Sequence, residues 1–369
     1  MLEVADVFRR YGDAYLQRFG EKMLPSHRRA FYDILHCRTA AMGGHVYDCD
    51  RCGRPQYAYH SCKNRSCPKC QGEETEIWLQ KRRQELLKTP YFHLVFTLPK
   101  ELHEIVRRNQ KIMYGVLMRA AAQSLMKLAA DPRYVGGRLG IMAVLHSCTR
   151  TLVYHPHVHL LVPAGGVTHD GCWVSARKDY LVPVKALSLV FRGIFVEMAR
   201  KALPEQEFPH AIWARRWWID CRSTVQGTEK VLQYLARYIY RTAFSNSRLI
   251  SVDHGQVTFR YRRCKERRSR TMTLPAQEFM RRFLQHVLPR GTHKVRYYGI
   301  WHPSKRQLLR RVQLLTGTGP LPAATNDEVT SQTDTPGNGS VEKPRTCPHC
   351  RQGLLVLRQT IPRKPRPPP

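Results

Sequence analysis

The sequence predicts a mixed α+β protein with a metal-bearing segment near its start. Three observations predict it. Short runs of β-branched and aromatic residues have the length and texture of strands. Stretches with apolar residues at helical spacing lie between them. Residues 37–71 follow neither pattern and hold six of the twelve cysteines.

The chain has 369 residues, enough for one large domain or two to three small ones, and 42% of them are hydrophobic, enough for a sizeable core. Lys and Arg number 61 against 28 Asp and Glu, a formal charge of +33 with a pI near 10.2. Such an excess attracts phosphate at long range and does little for a fold, so it points to a polyanionic partner. A ribosomal or chromatin-packaging protein would share the charge. Those proteins are usually smaller and poorer in aromatics than a chain with 17 Tyr and 6 Trp. An acidic membrane surface is a weaker alternative. No stretch has the length of a transmembrane helix, and the first residues lack the basic-then-apolar order of a signal peptide. The expectation is a cytoplasmic chain with reduced thiols, in which cysteines serve metal binding rather than disulfides.

Taken in order, residues 1–36 read as helical, with Val7, Phe8, Tyr11, Tyr15 and Phe19 on one period. A helix over Glu73–Leu87 leads out of the cysteine segment. Tyr91–Leu98 reads as a strand stopped by Pro99, and Glu101–Ala130 as a long amphipathic helix or helix pair. Leu139–Cys148 and His157–Val162 read as strands, Val184–Leu203 as a helix and Trp217–Arg222 as a further strand. Thr228–Thr242 is a helix with Thr228 as N-cap. Val257–Arg262 and Thr271–Leu274 suggest a hairpin, and Pro275–Val287 a final helix. Beyond Leu315 large apolar residues almost vanish. Residues 316–345 read as a disordered linker, and 346–369 as a Cys-X-X-Cys module with a basic, proline-rich tail. The domain division is then 1–36 helical, 37–85 metal-binding and 86–315 the main mixed domain.

Cys49 and Cys52 form one Cys-X-X-Cys turn, and Cys67 and Cys70 another, separated by fourteen residues. Two such turns can present four thiolates tetrahedrally to one Zn²⁺. With all four positions filled, the role is structural. Cys62 and His60 lie between the turns and Cys37 before them; each can replace a ligand or join a second site. Lys63, Arg65 and Lys69 decorate this segment, either as DNA-phosphate contacts or as solvated surface. Cys347-Pro-His-Cys350 is half a site, either a remnant turn or one that borrows ligands from elsewhere.

The run VYHPHVHLLVPAGG carries His155, His157 and His159. Side chains alternate along a strand, so His157 and His159 share a face, about 7 Å apart. Two imidazoles inside an apolar strand are costly without a ligand. His146, on the preceding strand, can approach as a third ligand, and His155 competes for that place.

VLQYLARYIYRT, at helical spacing, puts Leu232, Leu235 and Ile239 on a buried stripe. Tyr234 and Tyr238 lie one turn apart at its edge beside Arg237 and Arg241, and Tyr240 points elsewhere. Taken alone, these tyrosines read as packing residues with wet hydroxyls. Beside a metal that polarises a phosphate, a phenol is a nucleophile.

Three blocks in this order, CDRCG…SCKNRSCPKC, HPHVHLLVPAGG and YLARYIYR with SNSRL after it, resemble the rolling-circle transposases of the insertion-sequence family ninety-one type, in the HUH endonuclease superfamily. The segments MTLPAQEFMRRFLQHVLP and VRYYGIW extend the resemblance, which covers roughly residues 1–310. It implies a ferredoxin-like antiparallel sheet with the histidine strand central and the tyrosine helix packed against it. It also implies an amino-terminal zinc domain, a bacterial, nucleoid-associated location, single-stranded DNA as substrate and Mg²⁺ or Mn²⁺ as catalytic ion. The family's histidine pair falls on His157 and His159, with His146 as the chosen third ligand, and its nucleophiles on Tyr234 and Tyr238. The implied reaction leaves a 5′-phosphotyrosine and a free 3′-OH, with Arg237 and Arg241 available to neutralise phosphate. A rolling-circle replication initiator or relaxase would use the same chemistry. The absence of a G-x-x-x-x-G-K-[ST] loop argues only against a fused helicase. A zinc-dependent DNA-binding regulator without catalysis is the rival from another class.

Overall fold

The computed structural model describes residues 2–223, 242–262, 266, 268–317 and 345–366, with the side chains of 71–75 set aside. The expected tyrosine helix, with Tyr234, Arg237, Tyr238, Tyr240 and Arg241, and most of the expected linker lie outside these residues.

A five-stranded antiparallel sheet forms the centre. Its strands are β3 (Tyr91–Thr97), β4 (Gly140–Cys148), β5 (Tyr154–Pro163), β8 (Ile219–Ser223) and β12 (Val295–Gly299), in the order β12-β4-β5-β3-β8. The path β3, α5 (Gln110–Ala129), β4, β5, α6 (Val184–Ala202), β8 is the βαββαβ order of a ferredoxin-like fold. The histidine-bearing β5 is the middle strand, as the resemblance implies.

Alternation along the strands makes two different faces. Phe92, Leu94 and Phe96 of β3, Ile141, Ala143 and Leu145 of β4, and Val158, Leu160 and Val162 of β5 point to one side, where α5 and α6 cover them in the largest core. Each of these buried Val, Leu, Ile and Phe side chains contributes about 1.5–3 kcal/mol. The other face is apolar only over part of its length, where Tyr91, Met142, Val144 and Leu161 meet Trp301 and the Leu309 and Val312 side chains of α9 (Arg306–Leu315). Towards the far end of β4 and β5, histidines replace the apolar residues on this face.

The expected Glu101–Ala130 helix is a pair, α4 (His103–Arg108) and α5, broken at Asn109. The late hairpin is one part of a three-stranded sheet, β9 (Leu249–Asp253), β10 (Gln256–Tyr261) and β11 (Arg270–Pro275), followed by α8 (Ala276–Leu284). The amino-terminal helices α1 (Val4–Phe19) and α2 (Pro25–His36) share a core with this late segment rather than standing apart. Phe8 meets Phe31 at 5.0 Å and Phe283 at 5.7 Å between ring centroids. A capping box between Glu3 and Asp6 starts α1, and Pro25 opens α2 at a position where its missing N–H costs nothing.

A third sheet joins the two ends of the chain. β1 (Gly44–Cys49) and β2 (Pro55–Tyr59) form a hairpin, and β13 (Leu355–Ile361) pairs antiparallel with β1 on its other side. The remaining α-helices and strands described are α3 (Gln71–Arg83), the ribbon of β6 (Gly165–Val167) with β7 (Trp173–Ser175), and α7 (Ala211–Ala214). Among the described residues no helix is long and apolar enough to cross a membrane.

Candidate active site and metal centres

β4 and β5 are in register so that His146 lies opposite His157 and Val144 opposite His159. All three histidines therefore project from the face not covered by α5 and α6. One ring nitrogen of each lies within 4.8 Å of the others. The His146 ring stands edge-on to both neighbours, 5.4 Å from His157 and 4.5 Å from His159 between centroids. His155 lies between His157, at 5.3 Å, and His103, at 5.5 Å between centroids, and is not one of the converging three.

Neighbouring groups select which nitrogen can ligate. His157 Nδ1–H donates to the His155 carbonyl at 2.7 Å. His159 Nδ1 lies 2.8 Å from Nε2 of His93 on β3. A nitrogen that carries a proton cannot bind a metal, so His157 ligates through Nε2, and His159 does the same in the tautomer that donates from Nδ1 to His93. His93 is buried, and its desolvation pushes its pKa down to about 4 against an opposing pull from Asp220. A neutral His93 can therefore accept the Nδ1 proton of His159 when His159 ligates through Nε2. His93 is not among the residues expected at this site. Its signal was present in YFHLVFTL, a single imidazole on the otherwise apolar β3.

The three histidines lie in a cleft of about 480 Å³. Arg65, Arg150 and Lys294 are among its walls, and no Asp or Glu lines it among the described residues. Arg150 also borders a shallow groove with Arg248, Arg260 and Arg262, again without a carboxylate. Backbone carbonyls hold these cations in place: Arg150 donates to the Arg262 carbonyl at 2.7 Å, and Arg248 to that of Arg260 at 2.9 Å. Trp218, 68% exposed, lines the cleft. So do Thr242 and Ala243. Trp218 and Thr242 bracket in sequence the segment that carries Tyr234 and Tyr238.

Of the basic residues in the cysteine segment, Arg65 donates to the carbonyls of Leu288, Pro289 and Thr292, and Lys69 pairs with Glu3. Both therefore have intramolecular work. Lys63 is exposed.

The cysteines sort differently from the expected set. Cys49 and Cys52 do not meet Cys67 and Cys70. Cys67 and Cys70 converge with Cys37 and Cys62, all four buried, while Cys49 and Cys52 converge with Cys347 and Cys350. The reason is the β1–β2 hairpin. Cys49 and Cys52 occupy its tip, and the chain reaches Cys62 and Cys67 only after returning to its base, about 16 Å away for five residues of strand. Cys37 reaches the base because α2 ends there and Arg38 N–H donates to the His60 carbonyl. Within the first tetrad Cys70 Sγ lies 3.4 Å from Cys37 Sγ and 3.6 Å from Cys62 Sγ. Sulfurs arranged tetrahedrally at about 2.3 Å from Zn²⁺ would stand about 3.8 Å apart, so the spacing fits a closed structural zinc site.

Comparison with known proteins identifies the family. A family model described as "Transposase zinc-binding domain" matches residues 7–98, and one described as "Putative transposase" matches residues 140–308. The chain is 38% identical to "Putative transposase y4qJ" of Sinorhizobium fredii, over 96% of this chain and 94% of the relative. It is 29% identical to "Transposase for insertion sequence element IS801" of Pseudomonas savastanoi pv. phaseolicola, over 72% of this chain and 68% of that protein. No solved structure matches it. With its zinc-binding domain, its central histidine strand and a full-length transposase relative, the chain belongs to the IS91 family of insertion-sequence transposases.

Proposed function

We propose that this transposase nicks and rejoins single-stranded DNA at the ends of its mobile element through a 5′-phosphotyrosine intermediate, driving rolling-circle transposition. The observation that carries the reading is the convergence of His146, His157 and His159 in a cation-walled cleft. A divalent ion, Mg²⁺ or Mn²⁺, held by these three would supply Lewis-acid polarisation of the scissile phosphate. The three nitrogen donors share one sheet face and border the cleft, which fits that use.

The chain's own residues do the rest. Arg150, Lys294 and the groove arginines draw the phosphate backbone in. Trp218 offers an exposed ring on which an unpaired base can stack, which favours a single strand over a duplex. The phenol oxygen of Tyr234 or Tyr238 attacks phosphorus, forms the Tyr–O–P bond and gives its proton to solvent. The P–O3′ bond breaks and the 3′ oxygen takes up a proton. The ester bond energy is kept, so a 3′-OH can reverse the step without ATP. Two nucleophiles suit two successive transfers, one holding the first 5′ end while the other cuts again.

The test is a covalent adduct with oligonucleotides carrying the element ends, in Mg²⁺ or Mn²⁺. Tyr234→Phe plus Tyr238→Phe eliminates it, and Tyr240→Phe retains it. A robust adduct in the double variant, or a phosphotyrosine mapped by mass spectrometry to Tyr240, refutes the assignment. A DNA-binding regulator gives no adduct at all.

A further inference from the structure

The geometry points to a second metal site, made by Cys49, Cys52, Cys347 and Cys350, that clasps the two ends of the chain with one Zn²⁺. The four sulfurs lie within 4.8 Å of one another. Cys49 Sγ is 3.6 Å from Cys350 Sγ, and Cys52 Sγ is 3.9 Å from Cys347 Sγ. These distances again approach the roughly 3.8 Å edge of a zinc tetrathiolate. Cys52 and Cys347 are 295 positions apart, so neither pair is a site by itself.

The backbone around the sulfurs is built alike on both sides. Cys52 N–H donates to Cys49 Sγ at 3.4 Å, and Gly353 N–H to Cys350 Sγ at 3.3 Å. Such N–H···S bonds stabilise thiolate charge, which a metal ligand needs. Leu354 N–H donates to Asp50 Oδ1 at 2.8 Å, and Asp50 N–H to the Leu354 carbonyl at 3.1 Å, which locks the two turns together. Gly353 fits where no other residue does: a Cβ there would lie 2.4 Å from Cys49 Sγ and 2.6 Å from Asp50 Oδ1.

Apolar burial does not explain why the carboxy-terminal segment docks. Of residues 345–366 only Cys347 and Gly353 are buried, and Leu354, Val356 and Leu357 are 43%, 56% and 53% exposed. β13 adds a backbone ladder to β1, from Gly44 opposite Ile361 to Cys49 opposite Leu355. A lone edge strand with so little core is marginal in water. Metal-ligand bonds supply what the core lacks, because binding energy at a site absent from the unfolded chain is folding energy. Once docked, the tail brings Arg366 to 3.0 Å and Arg363 to 3.9 Å from Asp33, a buried carboxylate on α2.

Metal analysis of the full chain tests the site. Wild type carries two Zn²⁺ per chain, and Cys347→Ser plus Cys350→Ser carries one. Cys37→Ser also carries one, but from the other site. The second readout uses a protease site inserted between residues 318 and 344. After cleavage, the zinc-loaded protein keeps its carboxy-terminal fragment through gel filtration, and the double serine variant loses it at least tenfold more readily. One Zn²⁺ in the wild type, two in the double serine variant, or equal fragment retention in both proteins overturns the clasp.

Discussion

Replacing His93 by Phe keeps a ring of similar size in the buried β3 position and removes the hydrogen bond to His159 Nδ1. In the metal-bound wild type His93 accepts the His159 Nδ1 proton through that bond and so favours the tautomer and ring plane that leave Nε2 to the ion. In the variant the ion must impose both, and the Nδ1–H loses its 2.8 Å acceptor. A lost hydrogen bond between neutral groups in a partly buried setting costs about 1–2 kcal/mol. That corresponds to a factor of roughly 5 to 30 in metal affinity, in line with the 10- to 100-fold typical of partners behind a metal ligand. The assay is a Mn²⁺ titration of oligonucleotide cleavage, paired with direct Mn²⁺ binding by electron paramagnetic resonance. The midpoint should rise by that factor while cleavage at saturating Mn²⁺ changes little, because the three ligands remain. His93→Gln, which can present an acceptor, should recover part of the loss. An unchanged midpoint in His93→Phe would mean that His93 only packs against His159.

His157→Ala or His159→Ala should abolish cleavage and leave oligonucleotide binding nearly intact, since binding rests on spread positive charge; near wild-type cutting by either would make the histidine strand structural. His146→Ala should reduce cleavage more mildly, as read by the same gel assay. Trp218→Ala should weaken single-strand binding by about 1–3 kcal/mol and leave duplex binding unchanged, measured by fluorescence anisotropy; equal losses on both would remove the stacking role. Phe8→Ala should destabilise by about 3–5 kcal/mol in urea unfolding, because it empties the contact of α1 with Phe31 and Phe283; a loss below about 1 kcal/mol would mean that α1 is not part of that core.

The sequence by itself determined the elements whose signal is local. Alternation in VYHPHVHLLV placed His157 and His159 on one face of a strand, and this needed no partner to be legible. The long apolar repeats of residues 110–129 and 184–202 similarly announced the helices α5 and α6. The charge excess, the resemblance and the metal chemistry of paired cysteines were legible too. Tertiary structure decided which of those parts meet. Register between β4 and β5 set His146 against His157, and β3 brought in His93, because neighbours across a sheet are fixed by pairing that no single strand encodes. The cysteines show the limit most clearly. Spacing in sequence joined Cys49 and Cys52 to Cys67 and Cys70, yet a hairpin's length separates them. The partners of Cys49 and Cys52 come instead from the far end of the chain, carried there by β13, an edge strand with almost no apolar burial to mark it in the sequence.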